Sequence, residues 1–483
     1  MKTEITYANV TPPIRWQPKP YQLKALKFLA EHGAAGLFLD PGLGKTSITL
    51  AEQKVLQGQQ GFQPALVVAP LRACYEVWPV EQAKWLDFVS LRVAVAHGST
   101  MSVALSQKLN QYHLVVTNPE SLPRVLGWAA AQRRWPFDSL VIDESTQFKN
   151  SQTVRFKALK PYLDRFRRRR ILTGTPAPNG LLDLFGQLFI LDGGRALGQY
   201  ITQYRLRFFS PTGYGGYTWV PQTGSEEKIY AAVAHLVLRM SEADYLDLPP
   251  KIVTDIAVSL PPKARKIYND LEAHLIADVL GNVVTAANVA VASMKCRQVA
   301  NGGLYSSAAT GTWVKLHDAK TDAVAERIDE RGGKPVLVAV DFHHDAARLR
   351  KRFGARTPYL GAGLDPVEFG RTIRAWNAGD VPILLANPAT AARSLNMQGV
   401  PGSSVILHSL TYNYEHYDQL IRRVWRQGRR GRVFVDRIVA RDTVDEAIVG
   451  ALGSKARTQG ALLAALRAYA YRRPGSGRRI TVY

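Results

Sequence analysis

Two series of short apolar runs, each interleaved with helical patterns, narrow the folds open to this 483-residue chain. The first series is GLFL (36–39), ALVVAP (65–70), LRVAVA (91–96), HLVVTN (113–118) and SLVIDE (139–144). Each run is continuous and ends in a polar or turn residue, the pattern of a parallel strand buried on both faces. Helical stretches such as Lys45–Leu56 and Val77–Trp85 fall between them. The second series is KPVLVAV (334–340), VPILLAN (381–387), SSVILHS (403–409) and RVFVDRIVA (432–440). Strand alternating with helix predicts a doubly wound parallel sheet with functional residues at the strands' carboxyl ends. Two series predict two α/β domains, at 1–194 and 318–455. The Gly- and aromatic-rich span 195–317 reads as a linker with helical protrusions, and 456–483 as a helix and basic tail.

Composition restricts the class of partner. Apolar residues make up 46% and charged residues 21%, a balance that suits packed cores rather than disorder. Lys and Arg number 62 against 39 Asp and Glu, and the resulting +23 attracts polyanions, of which nucleic acid is the commonest. Cys74 and Cys296 are the two cysteines, so a disulfide framework and a cysteine-based zinc cluster are excluded. No run approaches about 20 apolar residues and the first residues lack a signal-peptide core, so a cytoplasmic protein without a membrane span is expected.

Four segments carry candidate chemistry. In LFLDPGLGKTSITL (37–50) a strand runs through a turn containing Gly42 and Gly44 into a helix opening with Lys45 and Thr46. Backbone N–H groups at such a helix start cradle phosphate oxygens, the lysine neutralises their charge, and the threonine hydroxyl suits Mg²⁺. The full phosphate-loop pattern has glycine five residues before Gly44, where this chain has Leu39. In SLVIDESTQFKN (139–150), Asp143 and Glu144 end a strand, the first suited to a metal and the second to deprotonating water. RRILTGTPAPNG (169–180) places Thr173, Thr175 and Asn179 on a polar turn able to sense a phosphate. QLIRRVWRQGRRGRVFV (419–435) puts Gln419, Arg423 and Arg426 at i, i+4 and i+7 of an expected helix, and arginine's planar fork meets phosphate in two places.

This ordered set resembles the Swi/Snf-type ATPases of helicase superfamily II, over residues 18–452. The resemblance implies two RecA-like domains with helical insertions between them, ATP and Mg²⁺ bound between the halves, and double-stranded DNA held through its backbone. PKPYQLKALKFL (18–29) looks like the adenine-reading element, which puts Gln22 on the base. ALVVAPLRACYEVWPVEQAKW (65–85) and VVTNPESL (115–122) are similar to segments that touch one DNA strand in the family. LRMSEADYLDLPPK (238–251) and MKCRQVANG (294–302) resemble its linking and protrusion segments. ANPATAARSLNMQG (386–399) stands for its fifth motif, with Asn396 as a coupling residue and Ala392 and Ser394 where glycine is common. Trp425 stands where the sixth motif has His. The compact chain looks most like bacteriophage and bacterial members.

Other readings stay open on sequence alone. A strand-separating or annealing helicase on DNA or RNA needs the same motifs, and a decayed ATPase would use ATP only as a switch. RFRRRR (165–170) fits a basic patch for nucleic acid or a solvated turn equally well. Trp16, Trp78, Trp85 and Trp425 suit base stacking less well than core packing.

Overall fold

The structure is a computed structural model describing residues 13–106, 109–178, 180–212, 218–245, 250–280, 286–306, 311–391, 397, 399–400, 403–411, 413–425 and 432–453. Asn179, Asn396, Arg426 and the basic tail therefore lie outside the described residues. The described residues fall into two compact units, one ending at Tyr245 and one starting at Pro250.

In the first unit the strands are β1 (Ala34–Leu39), β2 (Ala65–Val68), β3 (Val93–Val95), β4 (Leu114–Thr117), β5 (Ser139–Asp143) and β6 (Arg168–Thr173). A small antiparallel hairpin, β7 (Phe209–Thr212) and β8 (Thr218–Pro221), precedes β9 (Val237–Met240). The sheet order is β3-β4-β2-β5-β6-β1-β9 and every pairing in it is parallel. All residues of β2 and β4 are buried, which requires cover on both faces and explains their unbroken apolar sequence. The core includes Leu66, Val68, Val115, Leu140, Ile142 and Ile171 from the sheet, and Leu122, Leu126, Leu184 and Leu188 from its helices.

The second unit repeats the plan. Its strands are β10 (Lys251–Val258), a hairpin of β11 (Gly303–Tyr305) and β12 (Trp313–Lys315), then β13 (Val336–Ala339), β14 (Tyr359–Leu360), β15 (Ile383–Ala386), β16 (Ser404–Leu407) and β17 (Val433–Ala440). The parallel sheet runs β10-β17-β16-β13-β15-β14. Each unit is thus a parallel-sheet α/β domain, as the two strand series predict, and the pair matches the two RecA-like domains that the resemblance implies.

Inside the span expected to hold linker and helical protrusions, two strands join the sheets. β9 pairs with β1, and β10 with β17, so the span completes one edge of each domain. Sequence reading passes over β9 because it is four residues long and interrupted by Arg239. It passes over β10 because that edge strand alternates exposed and half-buried residues instead of running apolar. Helices Pro262–Leu280 and Ala286–Asn301 supply the expected helical stretches.

The arginine run is mostly structural. Arg170 is 1% exposed and pairs at 2.7 Å with Glu52, while donating to the carbonyls of Leu29 and Gly33. Arg167 and Arg168 pair with Asp138, Arg169 pairs with Asp164, and Arg165 lies over the Trp135 ring. These contacts favour a fold-stabilising turn over a nucleic-acid patch.

A second buried network holds the other unit together. Asp345 accepts from Arg348, Asn301 and Ser409, while the fully buried Lys320 reaches Asn301 and Asp445. Burial pushes His317 down to about 4 and His408 down to about 3. Burial alone would raise the Asp345 carboxyl, but the facing histidines and Arg348 hold it well below the usual range.

Glu52→Ala strands a buried guanidinium and is expected to lower the first unit's unfolding free energy by roughly 3–5 kcal/mol, read by urea denaturation. In the second unit, the unfolded chain protonates His317 and His408 below pH about 6.5 while the folded chain refuses those protons. Stability is therefore present above pH about 6.5 and lost as pH falls, and His408→Gln should reduce that pH slope by about one proton.

Candidate nucleotide site

The site is assembled at the carboxyl ends of three adjacent strands, β5, β6 and β1. From β1 the chain enters Asp40-Pro41-Gly42-Leu43-Gly44 and then the helix Lys45–Gln57. Gly42 and Gly44 have φ of 98° and 81°, values that side chains with a Cβ avoid. Gly44 caps the helix in the left-handed conformation, and the first N–H groups of the helix, as in any helix, have no intrahelical acceptors. A Cβ on Gly44 would stand 2.5 Å from the Gln22 side-chain nitrogen. Gln22 is thereby fixed against the loop: its Nε2 donates to the carbonyl of Leu43 at 3.3 Å and its Oε1 accepts from the Lys19 N–H at 2.9 Å.

Leu39, the departure from the phosphate-loop pattern, is the last residue of β1 and has no exposed surface. Its side chain belongs to the core, and its carbonyl accepts from the Lys45 ammonium at 2.7 Å. The lysine thus spans the loop it follows. β9 fixes the loop's other end, because the Asp40 N–H donates to the carbonyl of Met240 at 3.2 Å.

Asp143 ends β5, where the parallel register sets it opposite Leu172 of β6. Its Oδ1 accepts from the Glu144 N–H and its Oδ2 from the Trp78 indole, both at 3.1 Å. Burial, reinforced by the Glu144 charge, raises the Asp143 carboxyl to about 6, against the opposing charge of Lys45. Two carboxylates against one lysine leave negative charge incompletely balanced, which is the chemistry of a divalent-cation site. Glu144 itself has φ 51° and ψ 60°, a left-handed conformation that is uncommon outside glycine and recurs at functional turns.

The turn after β6 packs on the loop after β1. A Cβ on Gly174 would stand 2.8 Å from the Pro41 ring. Thr173 is buried, and its hydroxyl accepts from the Thr175 N–H at 3.2 Å. Gln187, which sequence reasoning missed, joins this turn to the acidic strand end. Its amide accepts from Ser145 at 2.7 Å and donates to the carbonyl of Pro176 at 2.6 Å. The signal lay in LFGQLFILD (184–192), where a polar residue interrupts an apolar helix and must find partners when buried.

Thr46 occupies the second position of the helix, as expected. In the other unit, Gln419 and Arg423 fall one turn apart on the helix Tyr414–Val424, both half-buried. That helix stops at Val424, so its described turns do not carry the i+7 position expected for Arg426. Met397, from the fifth-motif segment, donates its N–H to the Arg423 carbonyl at 3.1 Å. Trp78 is fully buried, Trp16 packs on Phe88, and Lys84 and Lys251 lie over Trp85 and Trp425.

Comparison with known proteins decides the family. The SNF2-related domain matches residues 21–303, and the helicase conserved C-terminal domain matches residues 319–428. The chain belongs to the SNF2-related family of helicase-like ATPases. Protein p41 of Acyrthosiphon pisum secondary endosymbiont phage 1 is 33% identical, over 93% of this chain and 98% of its own length. The DNA repair and recombination protein RAD54 of Oryza sativa is 24% identical over 89% of this chain, which spans half of that relative's length. A Sulfolobus solfataricus SWI2/SNF2 ATPase core solved with dsDNA is 24% identical, with 92% of each chain covered and a TM-score of 0.43. Membership of this family implies the use of ATP.

Gly174→Ala pushes the turn away from Pro41 and should weaken ATP binding several-fold, to be read by titration with a fluorescent ATP analogue. An unchanged affinity means that this contact does not shape the loop.

Proposed function

We propose that this SNF2-related ATPase hydrolyses ATP to drive its movement along double-stranded DNA, remodelling DNA or protein–DNA complexes. The observation that carries the reading is the gathering of the phosphate loop, Asp143, Glu144 and the Thr173 turn on one edge of one parallel sheet. The excess of 62 basic over 39 acidic residues supports a polyanionic track. The rice relative's name points to DNA rather than RNA.

In this reading Gly42, Gly44 and the first helical N–H groups hold the phosphates, and Lys45 balances their charge. Thr46 and Asp143 would hold Mg²⁺, which when bound would supply further neutralisation of the phosphate charge. Glu144 orients a water molecule toward the γ-phosphorus and takes its proton as the bond to ADP breaks. Gln22 and Gln419 bind the nucleotide. Arg423 and Arg426 meet the charge that develops on the leaving phosphoryl group. Thr173, Thr175 and Asn179 sense phosphate loss, and Asn396 couples it to the grip on DNA. That grip acts on phosphates, is independent of sequence and weakens with salt.

Glu144→Gln should bind ATP and hydrolyse it at least 100-fold more slowly, a loss expected from removing a general base. Hydrolysis at the parental rate would remove Glu144 from that role. Arg426→Ala should keep ATP affinity and lose about 10³-fold or more in turnover. Displacement of a third strand from a DNA triplex, with Lys45→Ala as the blank, tests movement itself. ATP-dependent release is expected, and release independent of ATP contradicts the motor.

A further inference from the structure

We infer that Trp78 is a positioning residue for the metal-binding carboxylate of Asp143, an assignment that rests on the proposed Mg²⁺ role of that aspartate. Trp78 has no exposed surface, so burial of its ring alone would make it a core residue. Its indole N–H, however, is spent on a carboxylate. Nε1 donates to Asp143 Oδ2 at 3.1 Å, while the Glu144 backbone N–H donates to Oδ1 at the same distance. The two donors come from different parts of the chain and fix the two oxygens separately, so the carboxylate plane cannot turn about its last torsion. Each oxygen keeps a second lone pair for a cation.

Partners in this outer position orient a ligand and raise its competence without touching the metal. The indole is suited to the task because it is a donor only and rigid, carried on an apolar ring that is itself buried. Trp78 opens the helix Trp78–Lys84, and the segment before it leaves the carboxyl end of β2, the strand paired with β5. The ring therefore reaches Asp143 from the neighbouring strand's connection, opposite the side where β6 lies. Phenylalanine at this position keeps an aromatic ring and deletes the donor, so it tests the hydrogen bond apart from most of the packing.

The test is Mg²⁺-dependent nucleotide binding by the full chain, with a fluorescent ATP analogue titrated in EDTA and across Mg²⁺ concentrations. Trp78→Phe should bind the analogue in EDTA as the parent does, yet need roughly tenfold more Mg²⁺ for half-maximal enhancement. Asp143→Asn serves as the reference and should need more still. An unchanged Mg²⁺ requirement in Trp78→Phe beside a raised one in Asp143→Asn overturns the role of Trp78 alone. No change in Asp143→Asn overturns the metal assignment and this inference with it. Equal weakening with and without Mg²⁺ in Trp78→Phe marks a merely structural residue and also overturns it. A measurement on protein with all nine tryptophans covers the case in which Trp78→Phe does not fold. One indole N–H resonance should shift on Asp143→Asn and hold its place on Glu144→Gln, and the absence of such a resonance contradicts the contact.

Discussion

In a parallel sheet every strand delivers its carboxyl end to the same edge, and the order β5-β6-β1 sets three such ends side by side. The remaining geometry of the first unit follows from that pairing. The loop after β1 supplies left-handed glycines and a helix start, β5 supplies the acid pair, and the turn after β6 leans on Pro41 through the missing Cβ of Gly174. Gln187 then ties the acid strand to the turn through hydrogen bonds to Ser145 and Pro176.

At the acid strand end negative charge outweighs positive. Burial raises Asp143, Glu144 adds to the effect, and one lysine opposes it. Such an arrangement is costly in an isolated protein, since two acids crowd one half-buried strand end. The left-handed backbone at Glu144 adds strain at the same point. Cost concentrated at one place, and held there by hydrogen bonds from Trp78 and from the Glu144 N–H, is what a site prepared for a charged ligand requires.

Much of this was legible in the amino-acid sequence, for a physical reason. Buried parallel strands must be continuously apolar, so ALVV, LVVT and SLVI announced themselves, and the loop and acid pair lay at their ends. β9 and β10 were hidden because edge strands face solvent and carry mixed residues. The arginine run left two readings level because sequence shows charge but not partners, and Glu52 and Asp138 stand 118 and 30 residues from Arg170 and Arg168. The partners of Trp78 and Gln187 were hidden for a related reason, although the polar break in LFGQLFILD marked Gln187 as a residue that must find some. Each acts through one hydrogen bond or two to a residue distant in the chain, and no spacing rule records such a bond.

The central claim is that ATP turnover in this chain is harnessed to duplex DNA, and the most direct measurement is steady-state hydrolysis at fixed moderate salt. It compares no polymer, duplex DNA, single-stranded DNA and RNA, with Lys45→Ala as the blank. The account predicts strong stimulation by duplex DNA and little by the others. Preference for single strands or RNA, or no turnover with any polymer despite tight ATP binding, would contradict it.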